Sequence, residues 1–203
     1  MPQTGHIFIV TAASGTGKTT LVSRLSSRGQ NIRVSISHTT RAPREGELDG
    51  VHYHFVSKDK FEEMIAAQAF IEHAQVYGNY YGTSLASVES LKKAGFNVIL
   101  EIDVQGAAQI RKLLPEATSI FILPPSMAEL NERLINRGTD SQEVISYRLG
   151  KAREEIEQCY HFDYVIVNQE LDQAELDLLA IIRSAGLRTN LQRSNIEKIL
   201  FKQ

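Results

Sequence analysis

The residues from Ala12 to Thr20 read A-A-S-G-T-G-K-T-T, between an apolar run, Ile7-Phe8-Ile9-Val10, and the helically spaced Leu21, Val22 and Leu25. Strand, glycine-rich turn and helix in that order leave few folds open to the chain and argue against an ordinary turn with a surface lysine. Gly15 and Gly17 let the backbone bend so that successive N–H groups point inward at phosphate oxygens. The helix that follows aims its positive end at the same place. Lys18 can reach β and γ phosphates, and the Thr19 hydroxyl can ligate Mg2+. The usual pattern opens on glycine, and here that position is Ala12. A methyl group is tolerated there if φ is negative.

The rest of the chain alternates in the same way. Ile32–Ile36 reads as a second strand. From Ser37 to Gly82 the sequence turns polar, aromatic and rich in turns, with short strands at His52–Val56 and Phe70–Glu72. Phe61, Ile65 and Ala66 suggest a short helix between those strands. Leu85, Val88 and Leu91 resume the helical period, and Gly95 is a stop. Asn97–Asp103 is an apolar strand ending in carboxylates, Ala107–Leu114 a helix closed by Pro115, and Ser119–Leu123 another buried strand. Ser126-x-x-Glu129 and Thr139-x-x-Gln142 are capping boxes for a helix ending near Gly138 and a longer one through about Cys159. Tyr164–Val167 is expected as the last buried strand, and Leu171–Leu187 as a final amphipathic helix.

Buried strands alternating with helices predict an α/β fold with a parallel sheet flanked by helices, of the phosphate-loop NTPase type. Ligands of such sheets sit at the carboxyl ends of the strands. The glycine loop, Glu101 and Asp103 should therefore converge.

Composition sets outer bounds. A net charge of -2 over 203 residues argues against a general nucleic-acid binder. Cys159 is the only cysteine, so no intramolecular disulfide forms, which fits a reducing compartment. No apolar run approaches a membrane span. The expectation is a cytoplasmic protein with no nucleic-acid or membrane partner. A homo-oligomer stays open, and the tail from Thr189 to Gln203 is basic and lightly amphipathic.

Arg41 and Arg44 lie three apart with Pro43 stiffening the link, a spacing that suits a phosphate accepting bidentate bonds, although the pair taken alone reads more readily as two solvated arginines on a loop. The longer run Thr40-Arg41-x-x-Arg44-x-x-Glu47-x-x-Gly50-x-x-Tyr53-x-Phe55 resembles the nucleotide-site signature of the guanylate kinase family, bacterial type. Phe70-Ile71-Glu72, Gly78-Asn79-Tyr80-Tyr81-Gly82, Leu100-Glu101-Ile102-Asp103-x-Gln105-Gly106 and Arg137-Gly138-Thr139 extend the resemblance over about residues 5–188.

The resemblance implies a kinase that moves a phosphoryl group from ATP to GMP, with Mg2+ as cofactor and the two nucleotides as small-molecule partners. It implies a core of 1–36 and 83–203, a β-rich GMP-binding insertion at 37–82, and a helical lid near 126–150. ATP would be held by Ala12, Ala13, Ser14, Gly15, Thr16, Gly17, Lys18, Thr19 and Thr20, with Asn168 on the adenine side. Arg41, Arg44, Tyr53 and Tyr81 would bind the GMP phosphate; Ser37, Glu72, Thr83 and Glu101 would face guanine or its ribose. Family members often carry Asp in place of Glu101 and Ser in place of Thr83. Lys18, Arg41 and the lid arginines Arg133, Arg137 and Arg148 would neutralise the moving group, while Thr19 and Asp103 attend the metal, Asp103 through water.

Base chemistry agrees with the guanine assignment. Guanine presents N1–H and N2–H2 donors on one edge and O6 and N7 acceptors on another. A carboxylate such as Glu72 answers the donors, and hydroxyls such as Ser37 and Thr83 answer the acceptors. Adenine would set a lone pair against the carboxylate. The alternative is a guanylate-kinase-like module that has lost catalysis and binds phosphopeptides in the old GMP site. Retention of Lys18 and Thr19 speaks against it.

Overall fold

The computed structural model describes residues 5–27, 31–76, 78–136 and 142–201. Its main sheet has five strands: β1 (Ile7–Ala12), β2 (Ile32–Val34), β7 (Asn97–Glu101), β8 (Thr118–Leu123) and β9 (Tyr164–Val167). All are parallel, in the order β2-β7-β1-β8-β9. Alternate residues of β1 are buried on opposite faces. Phe8 and Val10 join a core with α1 (Lys18–Ser27) and α7 (Leu171–Gly186). Ile7 and Ile9 join a second core with α3 (Leu85–Lys93) and α4 (Val104–Leu113). A strand covered on both faces reads as an unbroken apolar run, which is why β1, β7 and β8 were legible.

One expectation is corrected. Only Ile166 of β9 is buried; Tyr164, Val165 and Val167 are exposed. Strand β9 is the sheet's edge, covered on one face by α7, and an apolar run does not distinguish an edge from a centre.

A second sheet, ordered β4-β3-β6-β5, is built from β3 (His38–Thr39), β4 (His54–Phe55), β5 (Phe70–Val76) and β6 (Asn79–Ser84). The strand expected over His52–Val56 shrinks to the two residues of β4. β3 and β6 carry no apolar alternation; β6 is held by its pairing with β5 from Val76–Asn79 to Phe70–Ser84. Helix α2 (Lys58–Ala66) packs the fully buried Phe61 against Phe70 and Tyr80, with ring centroids 4.5 and 5.2 Å apart.

Helix α5 (Met127–Asn136) starts as its capping box predicts, with Glu129 N–H donating to Ser126 Oγ at 3.1 Å. Helix α6 (Gln142–Glu157) gives way to a 3-10 turn, Gln158–His161, that contains the buried Cys159. Leu130 and Leu134 of α5 and Ile145 and Ala152 of α6 form a third core with Ala13, directly under the glycine loop. Arg137, Gly138 and Thr139 lie outside the described residues. A short α8 (Arg193–Phe201) follows α7 and leaves Ile199, Leu200 and Phe201 exposed.

Candidate active site

The loop between β1 and α1 takes the conformation its glycines allow. Gly15 and Gly17 have φ of 92° and 91°, in the left-handed region. Ala12 is the last residue of β1, with no positive φ, so its methyl group is accommodated. Thr16 closes the turn, its N–H and hydroxyl reaching Ala13 O at 3.3 and 3.0 Å. Leu130 and Leu134 abut Gly15, where an added Cβ would stand 3.0–3.1 Å from their methyl groups. The loop is thus fixed from beneath by α5.

Its charged and polar groups face the carboxyl edge of the sheet. Lys18 Nζ donates to Ile102 O at 2.9 Å, and the Thr19 hydroxyl donates to Glu101 Oε1 at 2.5 Å. Asn168, after β9, donates from Nδ2 to Thr16 O at 2.7 Å. Arg133 reaches the same carbonyl at 3.3 Å, Asn168 O at 3.2 Å and Glu129 at 3.1 Å. Arg133 therefore already lies on the loop. Arg148 is half-buried on α6, and Arg137 is outside the described residues.

Across the cleft, the second sheet assembles two clusters. In the first, Arg41 donates from Nη2 to both oxygens of Glu47 at 2.8 and 2.9 Å and meets the Tyr81 hydroxyl. The Arg41 guanidinium lies 5.5 Å from the Tyr53 ring centre, and the Tyr53 and Tyr81 rings are 6.0 Å apart. Partial burial acts to raise the Glu47 carboxyl, but the Arg44 N–H and the Arg41 guanidinium outweigh it and hold the carboxyl below its ordinary range. Burial, with the charge of Glu101, pushes the Tyr53 hydroxyl up to about 12, so it stays a neutral donor. The Arg44 side chain is exposed.

In the second cluster, Ser37 and Thr83 hydroxyls stand 3.4 Å apart, and Thr83 donates to Glu72 Oε1 at 2.5 Å. Glu72 is 5% exposed. Burial raises its carboxyl to about 7, opposed by the Thr83 hydrogen bond and reinforced by the charge of Asp103. Three of the four expected guanine-facing groups are therefore in contact. The fourth, Glu101, is joined to Thr19 instead, and its charge also bears on Tyr53, which sets it between the loop and the arginine–tyrosine cluster.

Asp103 is the N-cap of α4, its Oδ1 accepting Gly106 N–H at 2.8 Å. Thr19, Glu101 and Asp103 offer only oxygen donors, which suit a hard cation. Among the described residues no group of three or more His, Cys, Asp or Glu could hold a metal by itself.

Two participants escaped the sequence reading. Glu47 stands in the quoted signature, three residues beyond Arg44, and that spacing was the available signal. Glu155 of α6 turns its carboxylate to the Ser14 backbone N–H of the loop. Burial raises its carboxyl above the ordinary range against the pull of that N–H. In Ala152-Arg153-Glu154-Glu155-Ile156-Glu157 nothing marks one glutamate from the others.

A glycine loop held under a helix N-terminus, at the carboxyl edge of an all-parallel sheet, defines a phosphate-loop nucleotide enzyme. The second sheet adds a separate arginine–tyrosine cluster. The family model described as guanylate kinase matches residues 4–185. Guanylate kinase of Neisseria gonorrhoeae is 61% identical over 196 residues, covering 97% of this chain and 96% of its own length. That of Acinetobacter baylyi is 49% identical, covering 98% and 96%. The crystal structure of guanylate kinase from Anaplasma phagocytophilum superposes with a TM-score of 0.82 at 32% identity, covering 99% of this chain and 97% of that one. The chain belongs to the guanylate kinase family.

Proposed function

We propose that the protein catalyses ATP + GMP = ADP + GDP, with Mg2+, as a nucleoside monophosphate kinase of purine nucleotide metabolism. Membership of the guanylate kinase family makes it an enzyme of this class. The observation that carries the acceptor assignment is the Ser37–Thr83–Glu72 chain, a buried carboxylate flanked by hydroxyls, beside the Arg41–Tyr53–Tyr81 cluster.

Phosphoryl transfer asks the protein for position and charge rather than covalent chemistry. The loop from Ala12 to Thr20 holds the donor phosphates through its N–H groups, and Lys18 leaves Ile102 O to meet them. Arg41, Arg44, Tyr53 and Tyr81 hold the acceptor phosphate, with Glu47 keeping the Arg41 fork oriented before substrate arrives. Glu72 takes the N1–H and N2–H2 donors of guanine, and Ser37 and Thr83 serve its acceptors. Thr19, with Asp103 through water, would hold Mg2+, which would neutralise phosphate charge. Residues 37–82 are the acceptor-binding insertion. The α5–α6 segment, about 126–150, is the lid; Arg133 already contacts the loop, and closure brings Arg137 and Arg148 to the transferred group and excludes water. Asn168 lies on the adenine side.

The intact loop, with Lys18 and Thr19 in reach of the carboxyl edge, supports the enzyme over the phosphopeptide-binding alternative. Among the described residues no helix is long and apolar enough to cross a membrane; a cytoplasmic location is our reading. The test is a coupled ADP-release assay with ATP, Mg2+ and, in turn, GMP, AMP, UMP and CMP. Turnover with GMP alone is the expected result. Turnover with another acceptor would overturn the role given to Glu72.

A further inference from the structure

Gly106 is buried in the first turn of α4, and its φ is not in the left-handed region. The backbone therefore makes no demand for glycine there. Within a helix glycine is less favourable than alanine, so the position carries a local cost. What glycine leaves at this site is room, and Glu72 fills it. A Cβ on Gly106 would stand 3.1 Å from Glu72 Cδ and nearer to Oε2 than van der Waals contact permits; Asp103 Oδ1 would be 3.3 Å away. Glu72 has no obvious retreat. Its Oε1 is held by Thr83 at 2.5 Å, and Thr83 is fully buried in β6.

We infer that Gly106 is a positioning residue for acceptor specificity: by lacking a side chain it lets the Glu72 carboxylate seat against the first turn of α4, in the one place where it faces the donor edge of guanine. The inference rests on the guanine role proposed for Glu72. The glycine acts through Glu72 and touches no substrate. A methyl group at 106 displaces the carboxylate and breaks its line to Thr83, and the guanine N1–H and N2–H2 groups lose their acceptor. A site built around such bonds discriminates strongly, so a small displacement is costly to specificity.

The test compares Gly106→Ala, Glu72→Gln, Glu72→Asp and Gly106→Ala/Glu72→Asp, measuring KM for GMP, IMP and ATP. IMP lacks the 2-amino group, so its recognition draws less on Glu72. For Gly106→Ala the expected result is a rise of about tenfold or more in KM for GMP, a smaller rise for IMP, and KM for ATP within about twofold. Shortening residue 72 by one methylene makes room for the methyl group but withdraws the carboxylate, so in the Glu72→Asp background Gly106→Ala should add little further loss of GMP affinity, and the double variant should fold if Gly106→Ala alone does not. A purely helical role predicts the opposite: alanine raises Tm and leaves every KM alone. An unchanged KM for GMP in Gly106→Ala, with Glu72→Gln impaired, would overturn the inference and leave the guanine reading intact. Losses of GMP affinity that simply multiply in the double variant would overturn it as well. An unchanged KM in Glu72→Gln would remove the guanine reading itself.

Discussion

Glu72→Gln should make the nucleotide-free protein more stable and the enzyme worse, and the stability gain should depend on pH. Glu72 is 5% exposed, and its carboxyl sits at about 7 against an ordinary 4.5. The folded chain thus binds this proton more tightly than the unfolded one, so stability falls as pH rises from about 4.5 to about 7. The full penalty, about 3 kcal/mol, is present above that window. Glutamine keeps the shape and an acceptor for the Thr83 hydroxyl without the charge. Unfolding should show the variant more stable by about 3 kcal/mol at pH 8 and by less than about 1 kcal/mol at pH 5. For a chain of this size the first figure corresponds to a rise in Tm of about 6–12 °C. The assay is thermal unfolding of both proteins at the two pH values without nucleotide. A difference in Tm that did not change with pH, or a variant less stable at pH 8, would refute the reasoning. In the same variant KM for GMP should rise far more than KM for ATP.

Three further outcomes follow from the geometry. Lys18→Ala should lower kcat by about two decades or more, because the charge on the transferred group loses a fixed partner; an unchanged kcat would remove Lys18 from the mechanism. Arg44→Ala should raise KM for GMP about tenfold while leaving Tm unchanged, since the side chain is exposed; a defect in Tm alone would refute its binding role. Phe61→Ala should cost about 3–5 kcal/mol in urea unfolding, because the ring is fully buried between Phe70 and Tyr80; a cost under about 1 kcal/mol would mean the second sheet does not depend on that stack.

The sequence alone determined what is local. The β1–loop–α1 unit, the buried strands β7 and β8 and the Ser126 capping box depend on residues a few positions apart, so their apolar runs, glycines and caps announced them. The signature from Thr40 to Phe55 likewise singled out Arg41 and Tyr53, which are near neighbours in the chain, though it gave Glu47 no part. Tertiary structure decided the rest. Strand β6 is polar and aromatic and becomes a strand only through the partner β5. The apolar run of β9 became an edge because no strand follows it in the sheet. Glu101 meets Thr19, Glu155 faces Ser14, and Glu72 presses on Gly106, all across long separations in the chain. A carboxylate's surroundings set its charge and its reach, and those surroundings exist only once the strands and helices that carry them have packed.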